Sequence, residues 1–195
     1  MMSVRAAGSL LSLPTQYKTI PIIENRMQFV HVLDSPSISA ILLRHCNLFE
    51  LSACLEQAYA RKRFIYVNVD HIDGIHPDAS GLNYLAHHLH VTGVISSNPR
   101  VLMLAKQTGI ETCQRVFALD STGLEATLDA VDSEYVDLLD ISPALVVPHV
   151  IPYLSRPLPL PFMASGLIYN HQQVQAVLRS GAVRVAVAKS DLWQT

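Results

Sequence analysis

Short apolar runs rich in β-branched residues alternate with stretches of helical composition along nearly the whole chain. The runs are TIPII, ISAILL, RFIYVNV, TGVIS, IETCQRVF, YVDLLDI, PFMA and VRVAVA. Alternation of strand and helix builds a parallel sheet, because each connecting segment must return the chain to the same end of the sheet. Eight strands in one domain favour closure, which leaves no unpaired edge. The sequence therefore predicts an α/β fold, a compact irregular TIM-like (β/α) barrel, with a doubly wound open sheet as the alternative.

The two ends of the chain refine this prediction. The chain has 195 residues, whereas a (β/α) barrel typically has about 250. Only a short segment ending in LWQT follows the last predicted strand, so we expect the last helix to be missing or vestigial. Residues 1–17 carry one arginine and a short apolar patch, and we predict an N-terminal tail there. Residues 18–195 are predicted to form a single (β/α)-barrel domain.

Two of the predicted helices carry clear start and stop signals. In NPRVLMLAKQTG, Asn98 is a candidate cap, Pro99 suits the first helical turn and Gly109 suits the end. NHQQVQAVLRSG repeats this order, with Asn170 as the cap and Gly181 as the terminator. These signals support the alternation of helix and strand on which the barrel prediction depends.

Composition excludes several classes of protein. Half of the residues are apolar, 15% are charged and the formal net charge is −2, which indicates a globular protein with no overall electrostatic attraction to nucleic acid. No apolar run approaches the roughly 20 residues of a membrane span. The three cysteines, Cys46, Cys54 and Cys113, are odd in number and widely spaced. We expect free thiols, a cytoplasmic location and no membrane association.

Polar residues follow almost every predicted strand, and in a (β/α) barrel these positions form the functional face. The period of two along RFIYVNVD places Tyr66, Asn68 and Asp70 on the interior face of their strand. A buried ion-pair network that includes Arg115 and Asp140 is one interpretation of this face, and direct contact with a ligand is the other. The predicted ligand-binding residues are Asn68, Asp70, Ser97, Arg115, Asp140, Ser165, Gly166 and Lys189.

Ser165, Gly166 and Lys189 have a specific expected role, which is to hold the anion. They follow the seventh and eighth strands, where the loops of (β/α) barrels commonly bind phosphate through backbone N–H groups. A glycine allows the backbone to approach the anion, and a lysine adds charge. The alternative is that Gly166 serves only a tight turn.

The sequence predicts neither a metal centre nor a nucleophilic cysteine. The segment VDHIDGIHPD and the cluster HHLH contain side chains that can bind metals, but His71 and Asp73 are expected on a solvent-facing loop and the HHLH histidines on the wet side of a helix. Neither Cys46 nor Cys113 has an obvious base beside it. No metal, cofactor or catalytic residue is predicted.

Several segments, in this order and spacing, resemble one known family over nearly the full chain. They are VNVDHIDGI, GVISSNPRVLMLAKQTGIETCQRVFALDS, ISPALVVP, ASGLI and the ending SGAVRVAV…DLW. The chain resembles the glycerol uptake operon antiterminator regulatory proteins (the GlpP family). The resemblance implies an irregular (β/α) barrel with a degenerate last helix. It also implies a response to glycerol 3-phosphate and binding to leader mRNA, which prevents premature termination ahead of glycerol-utilisation genes.

The chain departs from the family pattern at several positions. Asn68 stands where a histidine is usual, Asp140 replaces a glutamate, and Ser165 replaces a glycine. Three residues of the last strand, Ala186–Ala188, replace a run of serine and threonine hydroxyls that could have met a phosphate. A small anionic, phosphorylated metabolite other than glycerol 3-phosphate is therefore left open.

The partners implied by the resemblance are leader mRNA and a phosphorylated metabolite, and the sequence leaves homo-oligomerisation open. The basic cluster Arg61, Lys62 and Arg63 is a candidate RNA contact, although a helix end complementing its dipole also explains it. The rival functions are a small phosphosugar isomerase or lyase with Asp70 or Asp140 as base, and an interaction module that binds no ligand.

Overall fold

Eight parallel strands close into a barrel in the computed structural model, which describes residues 9–14, 16 and 18–193. Each strand pairs with its sequence neighbours, and the first strand also pairs with the last. The strands are β1 (Thr19–Ile23), β2 (Ala40–Leu43), β3 (Phe64–Asn68), β4 (Gly93–Ser96), β5 (Glu111–Phe117), β6 (Leu138–Ser142), β7 (Phe162–Ser165) and β8 (Arg184–Val187). The predicted closed (β/α) barrel is confirmed.

The connections run outside the barrel and are helical. The helices are α1 (Arg26–Leu33), α2 (Leu48–Ala60), α3 (Ala79–Asn83), α4 (Pro99–Gln107), α5 (Ser121–Asp129), α6 (Val147–Val150) and α7 (His171–Arg179). α3 continues as a π-helical turn over Tyr84–His88. A short ladder between Cys46–Asn47 and Ile72–Asp73 joins the loops that follow β2 and β3. The apolar faces of the helices pack on the outside of the strands and form the larger part of the core.

The predicted helix caps are present in the structure. Asn98 accepts a hydrogen bond from the N–H of Arg100, and Asn170 accepts one from the N–H of Gln173. Gly109 and Gly181 adopt φ values of +78° and +98° just beyond the two helices, where glycine is favoured because it has no Cβ.

Only a short 3₁₀ turn, Ser190–Leu192, follows β8 in the described part of the chain. Trp193 beyond it donates a hydrogen bond from Nε1 to the carbonyl of Val187, at 3.1 Å, and its own carbonyl accepts one from Thr19 Oγ1. These contacts hold residues 190–193 across β8 and β1. Among the described residues, β8 is thus followed by a single 3₁₀ turn and not by a full helix, in agreement with the sequence prediction. No helix among the described residues combines the length and apolar character needed to cross a bilayer.

Side chains that point into the barrel form layers of four, each drawn from alternate strands. The strand registers, with the shear of about 8 usual for this fold, define four layers. Two apolar-rich layers come first, counted from the amino ends of the strands: Ala40, Gly93, Leu138 and Arg184, then Ile20, Tyr66, Cys113 and Met163. The third layer is Leu42, Ile95, Asp140 and Ala186, and we call it the lower polar layer because it contains Asp140. The upper polar layer is Ile22, Asn68, Arg115 and Ser165.

The amino end of the barrel is closed by the segment 9–14, which falls within the predicted tail. Leu10 is only 1% exposed and packs with Tyr66 and the interior apolar residues. Its N–H donates to Tyr66 Oη at 2.9 Å and to a carboxylate oxygen of Glu111 at 3.1 Å. Arg184 donates to the carbonyl of Leu13 at 2.6 Å. We call residues 9–14 the N-terminal plug; residues 1–8, 15 and 17 of the predicted tail lie outside the described residues.

Candidate functional site at the barrel mouth

A buried ion pair lies inside the mouth of the barrel, which is formed by the carboxyl ends of the strands. Arg115 donates to Oδ2 of Asp140 from Nε at 2.9 Å and from Nη2 at 2.7 Å. Ser165 Oγ donates to the same oxygen at 3.1 Å. Asp140 and Ser165 are fully buried, and the Arg115 side chain is 10% exposed. The interior face of β5, β6 and β7 therefore carries a hydrogen-bonded polar network, as one of the two interpretations of the sequence anticipated.

Two buried polar atoms in this region have no hydrogen-bond partner among the described residues. They are Oδ1 of Asp140, an acceptor, and Nδ2 of Asn68, a donor. Oδ1 of Asn68 accepts the N–H of Asp70 at 3.2 Å. Burial, followed by the charge of Asp140, raises the pKa of the nearby Cys113 thiol well above its usual value, so this interior thiol is held in its neutral form.

Asp70 takes a different position from the one the strand period suggests. The strand ends at Asn68, because Val69–His71 form a 3₁₀ turn, and the Asp70 carboxylate is held by the end of β4. It accepts hydrogen bonds from Ser96 Oγ at 2.5 Å, from the N–H of Ser97 at 2.8 Å and from Ser97 Oγ at 2.9 Å. Both carboxylate oxygens are thus used to join the β3 and β4 loops.

A cavity of about 370 Å³ opens at the mouth beside β1, β2, β7 and β8. The lining consists of Ile22, Arg44, the segment 166–169 and the segment 186–189. Two of these residues are cationic, Arg44 and Lys189, and none is acidic. The volume lies within the roughly 300–1,000 Å³ range of small-molecule sites. The lining therefore suits a small anion.

The segment 166–169 lines this cavity directly after β7. Gly166 has φ +95° and Leu167 has φ +57°, so the chain turns sharply at the end of β7. A Cβ on Gly166 would lie 3.2 Å from Ser142 Oγ, which shows how closely this turn packs on the end of β6. The N–H of Tyr169 is bonded to Gln173 at 2.7 Å, whereas those of Leu167 and Ile168 have no acceptor among the described residues. Backbone N–H groups that have no protein acceptor can bind an anion.

The two cations of the lining are held at its edge. Lys189 Nζ donates to the carbonyl of Tyr169 at 3.3 Å and lies 3.6 Å from Asp191. Arg44 pairs with Glu24 at 3.2 Å. Neither of the two acidic partners is among the lining residues. On the β8 wall, Ala186 and Ala188 offer no hydrogen-bond donor from their side chains.

The predicted site residues fall into three places. Gly166 and Lys189 line the cavity. Asn68, Arg115, Asp140 and Ser165 form the polar floor of the barrel interior and are not part of the lining, while Asp70 and Ser97 bind each other at the rim. Arg44 and residues 167–169 line the cavity but were not among the predicted residues. The position of Arg44 directly after β2 was the available signal.

The basic cluster lies at the opposite end of the barrel. Arg63 donates to the carbonyl of Ser35 at 2.8 Å. Arg61 lies 3.7 Å from Asp34 and donates to the carbonyl of Gln57. These contacts give the two arginines structural partners near the end of α2, far from the cavity along the strands.

Potential metal ligands and nucleophiles are dispersed. Within the described ranges, no three histidine, cysteine, aspartate or glutamate side chains are arranged to hold an ion. Burial raises the pKa of Cys46 to about 12 and that of Cys54 to about 11. A thiolate is the reactive form of cysteine, so both thiols are poor nucleophiles at neutral pH.

A family model, two solved structures and one further protein each match most of the chain. A family model described as glycerol-3-phosphate responsive antiterminator matches residues 19–193. The crystal structure of the Listeria monocytogenes glycerol uptake operon antiterminator regulatory protein superposes with a TM-score of 0.82 at 24% identity, covering 91% of this chain and 95% of that one. A related Thermotoga maritima protein gives 0.79 at 19% identity, covering 91% and 98%. The Escherichia coli protein YgcP is 20% identical over 184 residues, 94% of this chain and 95% of that protein.

Fold and site together define a (β/α) barrel whose mouth carries a cavity with a cationic lining. Within that class, the chain belongs to the glycerol-3-phosphate responsive antiterminator family. The family resemblance seen in the sequence is confirmed.

Proposed function

We propose that this protein is a cytoplasmic transcription antitermination regulator that binds a small phosphorylated metabolite, glycerol 3-phosphate or a close analogue, in the mouth cavity. The observation that supports this most strongly is the lining, with two cations, no acid and, at the end of β7, two backbone N–H groups that have no acceptor in the described part of the chain. A phosphate is an acceptor-only dianion, and charged and backbone donors are its usual partners.

The β8 side of the cavity carries methyl groups, and this limits which groups can hold the phosphate. Since Ala186 and Ala188 supply no hydroxyl donors, the phosphate must be held by the turn at Gly166 and by Arg44 and Lys189. A hydrogen bond to a charged group contributes about 1.5–3 kcal/mol. Because this chain lacks the family's hydroxyl groups, the free energy of phosphate binding must come mainly from the turn at Gly166 and from the two cations.

RNA binding is the second part of the proposal and rests on family membership. Large apolar side chains are exposed around the mouth, at strand ends and in the loops or first helical turns that follow strands. They include Phe49, 88% exposed, Phe117, 49%, and Tyr169, 59%. Single-stranded RNA is commonly recognised by stacking of its bases on exposed aromatic rings. An RNA contact on this rim would place RNA and metabolite on the same face, where each could influence the affinity of the other.

An enzymatic function has less support. One oxygen of Asp140 is bound by Arg115 and Ser165, and both oxygens of Asp70 are bound by Ser96 and Ser97. Lys189 is half exposed, whereas an amine nucleophile is usually desolvated. We therefore infer that this member of a regulatory family is not an enzyme.

Replacement of Lys189 by alanine tests the anion site. We expect isothermal titration calorimetry to show binding of glycerol 3-phosphate to the unaltered protein and about tenfold weaker binding to Lys189→Ala, because one charged contact is lost. Lys62→Ala is the matched control, since it removes the same charge at the opposite end of the barrel, and its affinity should not change. Equal loss in both variants would contradict a local role of Lys189.

The regulatory part is tested by binding to the leader RNA of a glycerol-utilisation operon, with and without glycerol 3-phosphate. A ligand shifts an equilibrium only by its differential affinity for the two states, so RNA affinity should rise severalfold when the metabolite is present. An RNA affinity that is the same with and without the metabolite would contradict the coupling. No RNA binding in either condition would contradict an antitermination role.

A further inference from the structure

We infer that the polar floor of the barrel interior binds a hydroxyl group of the phosphorylated ligand, through Nδ2 of Asn68 and Oδ1 of Asp140. The inference rests on the proposed function, because the phosphate end of the same molecule would occupy the mouth cavity. It assigns these two side chains the recognition of the carbon chain that the phosphate carries.

The first observation is the pair of unsatisfied atoms. Asn68 is 1% exposed and Asp140 is fully buried, yet Nδ2 and Oδ1 have no partner among the described residues. An unsatisfied buried polar atom costs about 1–3 kcal/mol, and folded proteins retain few of them. One of these atoms is a donor and the other an acceptor. A hydroxyl group can accept from the first and donate to the second.

The second observation is the depth of the cavity. Its lining includes Ile22 and Ala186. Ile22 belongs to the upper polar layer, with Asn68, and Ala186 belongs to the lower polar layer, with Asp140. On the β8–β1 side the cavity thus reaches the two layers that contain Asn68 and Asp140, although neither side chain lines it.

The third observation is that both groups are held in fixed orientations by other contacts. Arg115 and Ser165 bind only Oδ2 of Asp140, which leaves Oδ1 directed elsewhere. The N–H of Asp70 binds Oδ1 of Asn68, which fixes its carboxamide. Asp70 is itself held by Ser96 and Ser97, so it acts here as a positioning residue for Asn68. Binding groups held in this way lose little conformational entropy when a ligand arrives.

Calorimetric titration with three compounds separates the hydroxyl contacts from the phosphate contacts. Glycerol 3-phosphate, n-propyl phosphate and inorganic phosphate share the anion, and only the first has hydroxyl groups on a three-carbon chain. We expect the unaltered protein to bind glycerol 3-phosphate at least tenfold more tightly than n-propyl phosphate. Asn68→Leu, which is nearly isosteric, should remove most of this preference while the affinity for n-propyl phosphate stays within twofold.

The outcomes are distinguishable. Equal affinity of the unaltered protein for the two organic phosphates, or an Asn68→Leu variant that keeps the full preference, would overturn this inference and leave the anion site intact. If neither organic phosphate binds, the proposed function fails and this inference fails with it. Retained n-propyl phosphate binding shows that the variant is folded. Should the leucine variant not fold, Asn68→Ala removes the same carboxamide without a branched side chain and gives the same comparison.

Discussion

Asp140→Ala is expected to lower the free energy of unfolding by about 3–5 kcal/mol, because it leaves the buried Arg115 guanidinium without its carboxylate. Arg115 donates two hydrogen bonds to Asp140, and only 10% of its side chain is exposed. Water cannot readily replace the lost partner at such burial. Urea-induced unfolding followed by circular dichroism measures the effect.

Two further variants show whether the buried charge is the cause. Asp129→Ala breaks a surface pair with Arg156, in which both side chains are exposed, and should cost less than about 1 kcal/mol. The double variant Arg115→Met/Asp140→Ala removes the charge along with its partner and should recover part of the loss. A single-variant cost as small as that of Asp129→Ala would show that the polar layers do not depend on this ion pair.

Leu10→Ala is expected to cost about 2–5 kcal/mol, although the residue lies near the start of the chain. Leu10 is 1% exposed and fills the amino end of the barrel beside Tyr66. Truncating it leaves a cavity in the interior core and loosens the N-terminal plug. Thermal and urea unfolding of the variant give the measurement.

The next residue along the chain supplies the control. Leu11 is 44% exposed, so Leu11→Ala should change stability by no more than about 0.5 kcal/mol. The same leucine-to-alanine change is thus made at two adjacent positions, one buried in the barrel interior and one exposed to solvent. Similar effects in the two variants would contradict the placement of the plug within the barrel.

The strands were predictable because their signal is local. A buried parallel strand is a short β-branched run, and each of the eight predicted runs overlaps one observed strand, with β6 and β7 each extending one residue further. The helix caps at Asn98 and Asn170 were also predictable, since a cap depends on a few consecutive residues. The sequence expectation that Tyr66 and Asn68 share the interior face is confirmed by the burial of both beside the interior residues.

What could not be predicted depends on distant partners or on weak patterns. α1, with the sequence RMQFVHVL, has a weak helical signal in the sequence, because β-branched residues lower its helix propensity and Met27 and Val30 are exposed apolar residues. The N-terminal plug is ordered by Tyr66 and Glu111, far along the chain. The departure of Asp70 from the strand period follows from its contacts with Ser96 and Ser97, which no local pattern reveals.

The most direct test of the account is a crystal structure of the protein grown with glycerol 3-phosphate. The account predicts the phosphate within hydrogen-bond distance of the backbone N–H groups of Leu167 and Ile168, with Lys189 beside it. The glycerol hydroxyls should lie toward Asn68 and Asp140. A phosphate bound elsewhere on the barrel, with the turn at Gly166 unoccupied at saturating ligand, would contradict it.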